Sequence, residues 1–124
     1  MNIIINDEEV NFKNMTVFVD TETDGLYGPV RLVQIYCPEL NPDSVYIYDT
    51  RDYPLILAKK RLREAKHLVW HNGKYDFDCL DYLPESWDDT YILDTLINYR
   101  SDKHSLDDVA IRVFKKDVYH DMFK

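Results

Sequence analysis

Val17-Phe18-Val19-Asp20-Thr21-Glu22-Thr23-Asp24-Gly25-Leu26 is an apolar run that stops at an acid, with a second acid two positions on and a glycine turn behind it. The β-branched and aromatic residues predict a buried strand, and the Asp-Gly pair predicts where it ends. Side chains alternate along a strand, so Asp20 and Glu22 leave the same face where the strand meets its loop. Two carboxylates aimed together repel unless a cation lies between them. Oxygen ligands of this kind suit Mg²⁺ or Mn²⁺, which a phosphate substrate would help to hold. The plainer alternative is a pair of solvated acids at a strand end, and a DxE taken alone leaves both readings open.

A second stretch repeats the arrangement. Leu68-Val69-Trp70-His71-Asn72-Gly73-Lys74-Tyr75-Asp76-Phe77-Asp78-Cys79-Leu80 is an apolar strand, a polar loop and a helix carrying Asp76 in its first turn. An acid in that turn also complements the helix dipole, which is a structural reason for the same residue.

Between the two stretches, Met15 to about Glu22 is followed by a loop holding Gly25, Gly28 and Pro29, then by a second strand at Val30–Tyr36. Turn formers from Cys37 to Ser44 lead to a third strand at Val45–Tyr48. Short links between three successive strands predict an antiparallel meander. After Pro54 the period becomes helical: Leu55, Ala58, Leu62 and Ala65 share a stripe, with Lys59, Lys60, Arg61, Arg63 and Lys66 around the rest of the turn. These cations read as a solvated outer face rather than a nucleic-acid groove. Such a helix would cross back over the sheet to make His67–His71 a fourth strand, parallel to the first. Asp20, Glu22 and Asp76 would then converge at one end of the sheet.

Past Asp76 the short helix runs to Tyr82, ahead of Pro84. Asp88 or Asp89 can cap a helix through about Asn98, and Ser105 can cap a last one with Leu106, Val109, Ala110 and Val113 as its stripe. Residues 1–14, opening with Ile3-Ile4-Ile5, read either as an edge strand or as a loose extension.

A chain of 124 residues that is 45% hydrophobic and 14% aromatic fits one folded domain, 1–124. It has no apolar run long enough to span a bilayer and no signal-like amino terminus, so the expectation is a cytoplasmic protein without a membrane partner. Cys37 and Cys79 are expected to stay reduced, and neither has partners at zinc-ligand spacing. A formal net charge of −8 argues against a broad phosphate-binding surface. It suits an enzyme that clusters acids around divalent ions and binds its substrate through them.

Together, Asp20-Thr21-Glu22-Thr23-Asp24-Gly25-Leu26 and His71-Asn72-Gly73-Lys74-Tyr75-Asp76-Phe77-Asp78-Cys79-Leu80 resemble the first two motifs of the DEDD 3'-5' exonucleases, most of all the proofreading domains of family A DNA polymerases and their phage relatives. Asp89-Thr90-Tyr91-Ile92-Leu93 is similar to the family's DT at a helix start, and His104-Ser105-Leu106-Asp107-Asp108-Val109-Ala110 to the segment opening its next helix. Order and spacing agree over 15–124. The resemblance implies an RNase H-like α/β fold: a mixed sheet with an antiparallel three-strand meander, parallel strands and flanking helices.

It further implies divalent-metal-dependent 3'-5' exonuclease activity at nucleic-acid 3' ends, with four carboxylates holding two ions, Mg²⁺ or Mn²⁺. Asp20, Glu22 and Asp76 would be three of the four: Asp20 as the bridging ligand, Glu22 on the ion that activates water, Asp76 on the other. The backbone around Thr21, Leu26 against the terminal base, and Asn72 near the sugar and phosphate would contact a single-stranded DNA 3' end. An RNA 3' end is the alternative, because DEDD-type ribonucleases share these motifs.

The sequence departs from the family at the fourth acid, which occurs there as YxxxD or HxxxxD. Tyr82, Tyr91, Tyr99 and Tyr119 have Ser86, Thr95, Lys103 and Phe123 four positions on, and His104 has Val109 five on. Asp108, four beyond His104, fits neither pattern. The expectation is therefore a fold truncated on its carboxyl-terminal side. Three readings follow: a piece completed by a polymerase, a partner chain or a further copy of itself; a reduced site with three acids; or a catalytically weak module that binds nucleic-acid ends or a polymerase. The three retained acids weigh against the last.

Overall fold

The computed structural model describes residues 1–26, 28–71, 73–82, 84–97 and 103–109. In chain order it runs β1 (Asn2–Ile5), β2 (Thr16–Thr23), β3 (Val30–Tyr36), β4 (Ser44–Asp49), α1 (Leu55–Glu64), β5 (His67–Trp70), α2 (Gly73–Leu80), β6 (Trp87–Asp89) and α3 (Thr90–Ile97). The strands form one mixed sheet of six, ordered β1-β4-β3-β2-β5-β6.

The expected meander is present. β2 and β3 pair antiparallel from Phe18 opposite Tyr36 to Glu22 opposite Leu32, with a register shift between Glu22 and Thr23. β3 and β4 pair antiparallel from Leu32 opposite Asp49 to Ile35 opposite Tyr46. α1 then carries the chain across to β5, which lies parallel to β2 with Val17 opposite Leu68. The helix buries Ala58 and Leu62, and both join a core of Val17, Val19, Val33, Ile35, Tyr48 and Trp70.

Two strands settle what hydropathy left open. β1 lies parallel to β4 at the sheet edge, so the amino-terminal residues are strand and not a loose extension. β6 was not anticipated: Trp87-Asp88-Asp89 has two acids in three residues and no strand signature of its own. Its pairing comes from β5, with Trp70 opposite Asp89.

The basic run of α1 is not uniformly an outer face. Arg61 turns inward, donating from Nη2 to the Glu8 carbonyl (2.7 Å), from Nη1 to the Val10 carbonyl (3.0 Å) and to Glu64 (3.1 Å), and from Nε to the Tyr53 hydroxyl (3.3 Å). Arg63 stacks over the Tyr82 ring, 5.5 Å from its centroid. A long cation can do this because its stem packs while its donors find carbonyls.

Cys37 and Cys79 are free thiols. No helix among the described residues is long and apolar enough to cross a membrane. Ser105 caps the turn that follows it, accepting from the Asp108 amide (3.1 Å), while Asp108 accepts from the Ser105 amide (3.2 Å) and hydroxyl (2.6 Å). Ala110 and Val113, expected to continue that helix, lie outside the described residues, as does Asn98.

Candidate active site

β2, β5 and β6 run in the same direction side by side, so their carboxyl ends open on one edge of the sheet. In open α/β sheets that edge is where ligands bind. Asp20 and Glu22 come from the end of β2, His71 follows β5, Asp76 lies in the first turn of α2, and Asp89 closes β6.

Burial alternates along β2. Val17, Val19 and Thr21 point inward, while Phe18, Asp20 and Glu22 are exposed on the other face. Asp20 and Glu22 thus share a face. Asp76 approaches from the Thr21 side, where its Oδ1 accepts a hydrogen bond from the Thr21 hydroxyl. Asp76 as a residue is only 5% exposed.

Burial pushes the Asp76 pKa up to about 6; the Thr21 hydrogen bond opposes the rise, and the negative fields of Asp20, Asp89 and Glu22 add to it. Asp20, Glu22 and Asp89 therefore all lie near enough to act on the Asp76 carboxyl. Asp20 is also raised, by the protein packed round its carboxyl group; the Thr21 backbone hydrogen bond and the nearby His71 pull the other way.

Among the described residues, no three His, Cys, Asp or Glu side chains gather closely enough to hold a metal ion between them. The donor chemistry nevertheless fits a hard divalent cation, since every candidate ligand is a carboxylate oxygen. Mg²⁺ commonly keeps several waters and takes only one or two carboxylates plus substrate phosphates, so a closed cage of protein ligands is not required. Burial, with the neighbouring acids adding to it, disfavours the charged form of Asp76, and such a cation would offset that cost.

Of the remaining expected contacts, Thr21 lies on β2 and Leu26 in the loop that follows it. Thr21 commits its hydroxyl to Asp76. Leu26 stands 82% exposed at the tip of the loop after β2. That loop is fixed by the Thr23 hydroxyl donating to the Gly25 carbonyl (2.8 Å) and by the Asp24 amide donating to the Pro29 carbonyl (3.0 Å). Gly25 has φ +76°, and a Cβ on Gly28 would stand 1.7 Å from the Asp24 carbonyl oxygen, so only glycine fits there. Asn72 lies outside the described residues.

Asp89, a possible helix cap from its place in the sequence, does more than cap. It is buried, with Oδ1 accepting from the Tyr91 (2.8 Å) and Ile92 (3.4 Å) amides of α3 and Oδ2 accepting from the Gly73 amide of α2 (2.6 Å). Thr90 beside it bonds to His71 Nδ1 (2.8 Å) and donates to the Trp70 carbonyl (3.2 Å). A buried pair of His104 Nδ1 and Asp94, 2.6 Å apart, was also unforeseen. The only sequence signal was a polar Asp-Thr pair directly ahead of an apolar helix.

A mixed sheet with this strand order, flanking helices and acids at the ends of its central parallel strands is an α/β fold of the RNase H-like type. In particular, it is similar to Brucella melitensis NrnC with bound Mg²⁺ (TM-score 0.70, 19% identity, over 95% of this chain and 64% of that one). The same protein bound to pGG matches with TM-score 0.70 and 20% identity, over 95% of this chain and 63% of the other. Escherichia coli RNase D, an exoribonuclease involved in structured RNA processing, matches with TM-score 0.65 and 18% identity, over 85% of this chain and 29% of that one. The chain therefore spans less than two thirds of the length of each of these structures. No protein-family model matches it, and no curated protein does by sequence.

Proposed function

We propose that this chain is a divalent-metal-dependent 3'-5' exonuclease of the DEDD type, or the amino-terminal portion of one, acting on single-stranded nucleic-acid 3' ends. The observation that carries the reading is Asp76: a buried carboxyl in the field of Asp20, Glu22 and Asp89, at the open ends of parallel strands. Buried like charges are costly to a fold, and a site that binds cations is the common reason to keep them.

Asp20, Glu22 and Asp76 would hold the metal. Bound there, Mg²⁺ or Mn²⁺ would supply activation of water and stabilisation of the leaving 3' oxygen. Thr21 keeps the Asp76 carboxyl oriented, and a cation bound there would favour its ionised form. Leu26, held out by the glycine-dependent loop, would stack on the terminal base, and Asn72 would contact the sugar and phosphate. His104 and Asp108 are engaged by Asp94 and Ser105, so we assign neither of them to orienting the water.

The bound pGG of one structural neighbour and the exoribonuclease activity named for another favour RNA ends over DNA. The finer resemblance to polymerase proofreading domains has no support in these structures. A second reading, a catalytically weak module that binds ends or a polymerase partner, is favoured by the absence of three converging ligands among the described residues.

The test is degradation of 5'-labelled single-stranded RNA and DNA by the protein with Mg²⁺, with Mn²⁺ and with chelator, beside the Asp20→Ala/Glu22→Ala variant. A ladder shortening from the 3' end, dependent on metal and lost in the variant, is expected. Folded protein that leaves both polymers intact would overturn activity of this chain by itself and turn the search to a completing chain or to the binding module, and cleavage by the double variant would overturn the site.

A further inference from the structure

We propose that Asp89 and Thr90 are positioning residues: together they clamp the turn between β5 and α2, and so fix where α2 delivers Asp76 to the site. The inference rests on the exonuclease reading only for its consequence on metal use. The clamp itself is a matter of hydrogen bonds.

The two residues reach three points of the facing turn. Asp89 Oδ2 accepts from the Gly73 amide (2.6 Å), Thr90 donates to the Trp70 carbonyl (3.2 Å), and the Thr90 oxygen meets His71 Nδ1 (2.8 Å). Trp70 and His71 at the end of β5 and Gly73 at the start of α2 are thus all held by one dipeptide. Gly73 is the first residue of α2 and Asp76 lies one turn further along. The first amides of a helix have no partner within it, so the acceptor offered to Gly73 decides where α2 begins.

Donor counting makes the arrangement specific. Thr90 has one hydroxyl proton and gives it to the Trp70 carbonyl; its oxygen must then accept from His71, which places the imidazole proton on Nδ1. Asp89 uses both oxygens, one for each helix. An asparagine offers one acceptor oxygen and turns two donors the other way, so it can serve α2 or α3 but not both. The position therefore calls for a carboxylate, whose two oxygens each hold the start of a helix.

The experiment uses the full chain and the variants Asp89→Asn, Thr90→Val and Thr90→Ser, each checked for folding by thermal melting. Amide hydrogen exchange is compared between α2 and α1, and the Mn²⁺ concentration for half-maximal cleavage is measured together with kcat and KM. In Asp89→Asn and Thr90→Val, exchange at the start of α2 should rise about tenfold with α1 unchanged, and the Mn²⁺ requirement should rise about 10–100-fold with KM little moved. Thr90→Ser should restore both. A folded Asp89→Asn protein in which α2 exchanges as in the wild type overturns the clamp, whatever its activity. Looser exchange with an unchanged Mn²⁺ requirement overturns its role in placing Asp76. If the wild-type protein cleaves nothing, activity of this chain by itself fails, and the exchange comparison still decides the clamp.

Discussion

Helices α1 and α3 are of similar length and each leads away from a strand, yet they bury opposite kinds of residue. α1 buries Ala58 and Leu62. α3 buries Asp94 and leaves Leu96 and Ile97, 69% and 76% exposed, in solvent. The first helix is oriented by its apolar stripe, as amphipathic helices usually are. The second is oriented by polar bonds: Asp89 caps it, Thr90 ties it to the β5–α2 turn, and Asp94 takes His104. Hydropathy predicts a helix face only where burial of apolar surface is what sets it.

The contrast can be broken most sharply at Leu62. Leu62→Ala should cost about 2–5 kcal/mol, because a fully buried side chain leaves a cavity that packing cannot close. Urea unfolding measures it, and a cost below about 1 kcal/mol would mean that α1 is not held by its stripe.

Asp76, in the helix between them, gives the next largest effect. Its pKa rises from 3.8 to about 6 on folding, so the folded state binds the proton more tightly than the unfolded chain. Stability from this group is therefore greatest below pH 4, declines as pH rises towards 6 and stays reduced above it, by on the order of 3 kcal/mol. Asp76→Asn should raise the melting temperature at pH 7.5, flatten that decline and abolish cleavage. A parallel fall in stability for wild type and variant between pH 4 and 6 would contradict the assignment.

Asp94→Ala, which strips His104 of its partner, should cost about 1–3 kcal/mol. Near-neutrality there would show that α3 is not oriented by the buried pair. Ile97→Ala should change stability by less than about 0.5 kcal/mol, the ordinary range for a surface position; a core-sized loss would show that α3 buries more than its accessible surface indicates.

The same contrast explains what could be read from the sequence. β2, β3, β4, α1 and β5 were legible because each has a run long enough to display a period, and the change from two to 3.6 at Pro54 is abrupt. β6 was not, because three residues with two acids become a strand only through β5. Asp20, Glu22 and Asp76 stood out as acids that interrupt or follow apolar runs. The roles of Asp89 and Thr90 did not, because their bonds reach back 16 to 20 residues and link groups that no local pattern relates. Arg61 was counted with its exposed neighbours for the same reason: its carbonyl partners lie more than fifty residues away.

β1 bears on how copies of the chain behave towards one another. By lying along β4 it occupies a row of backbone donors and acceptors that would otherwise pair with any passing strand. The substitute edge it offers is only four residues long and ends at Asn6, where φ +54° turns the backbone out of register. Arg61 holds the residues that follow. Cutting away this short strip would uncover the β4 backbone as an unpaired edge, the kind of surface on which another strand can add.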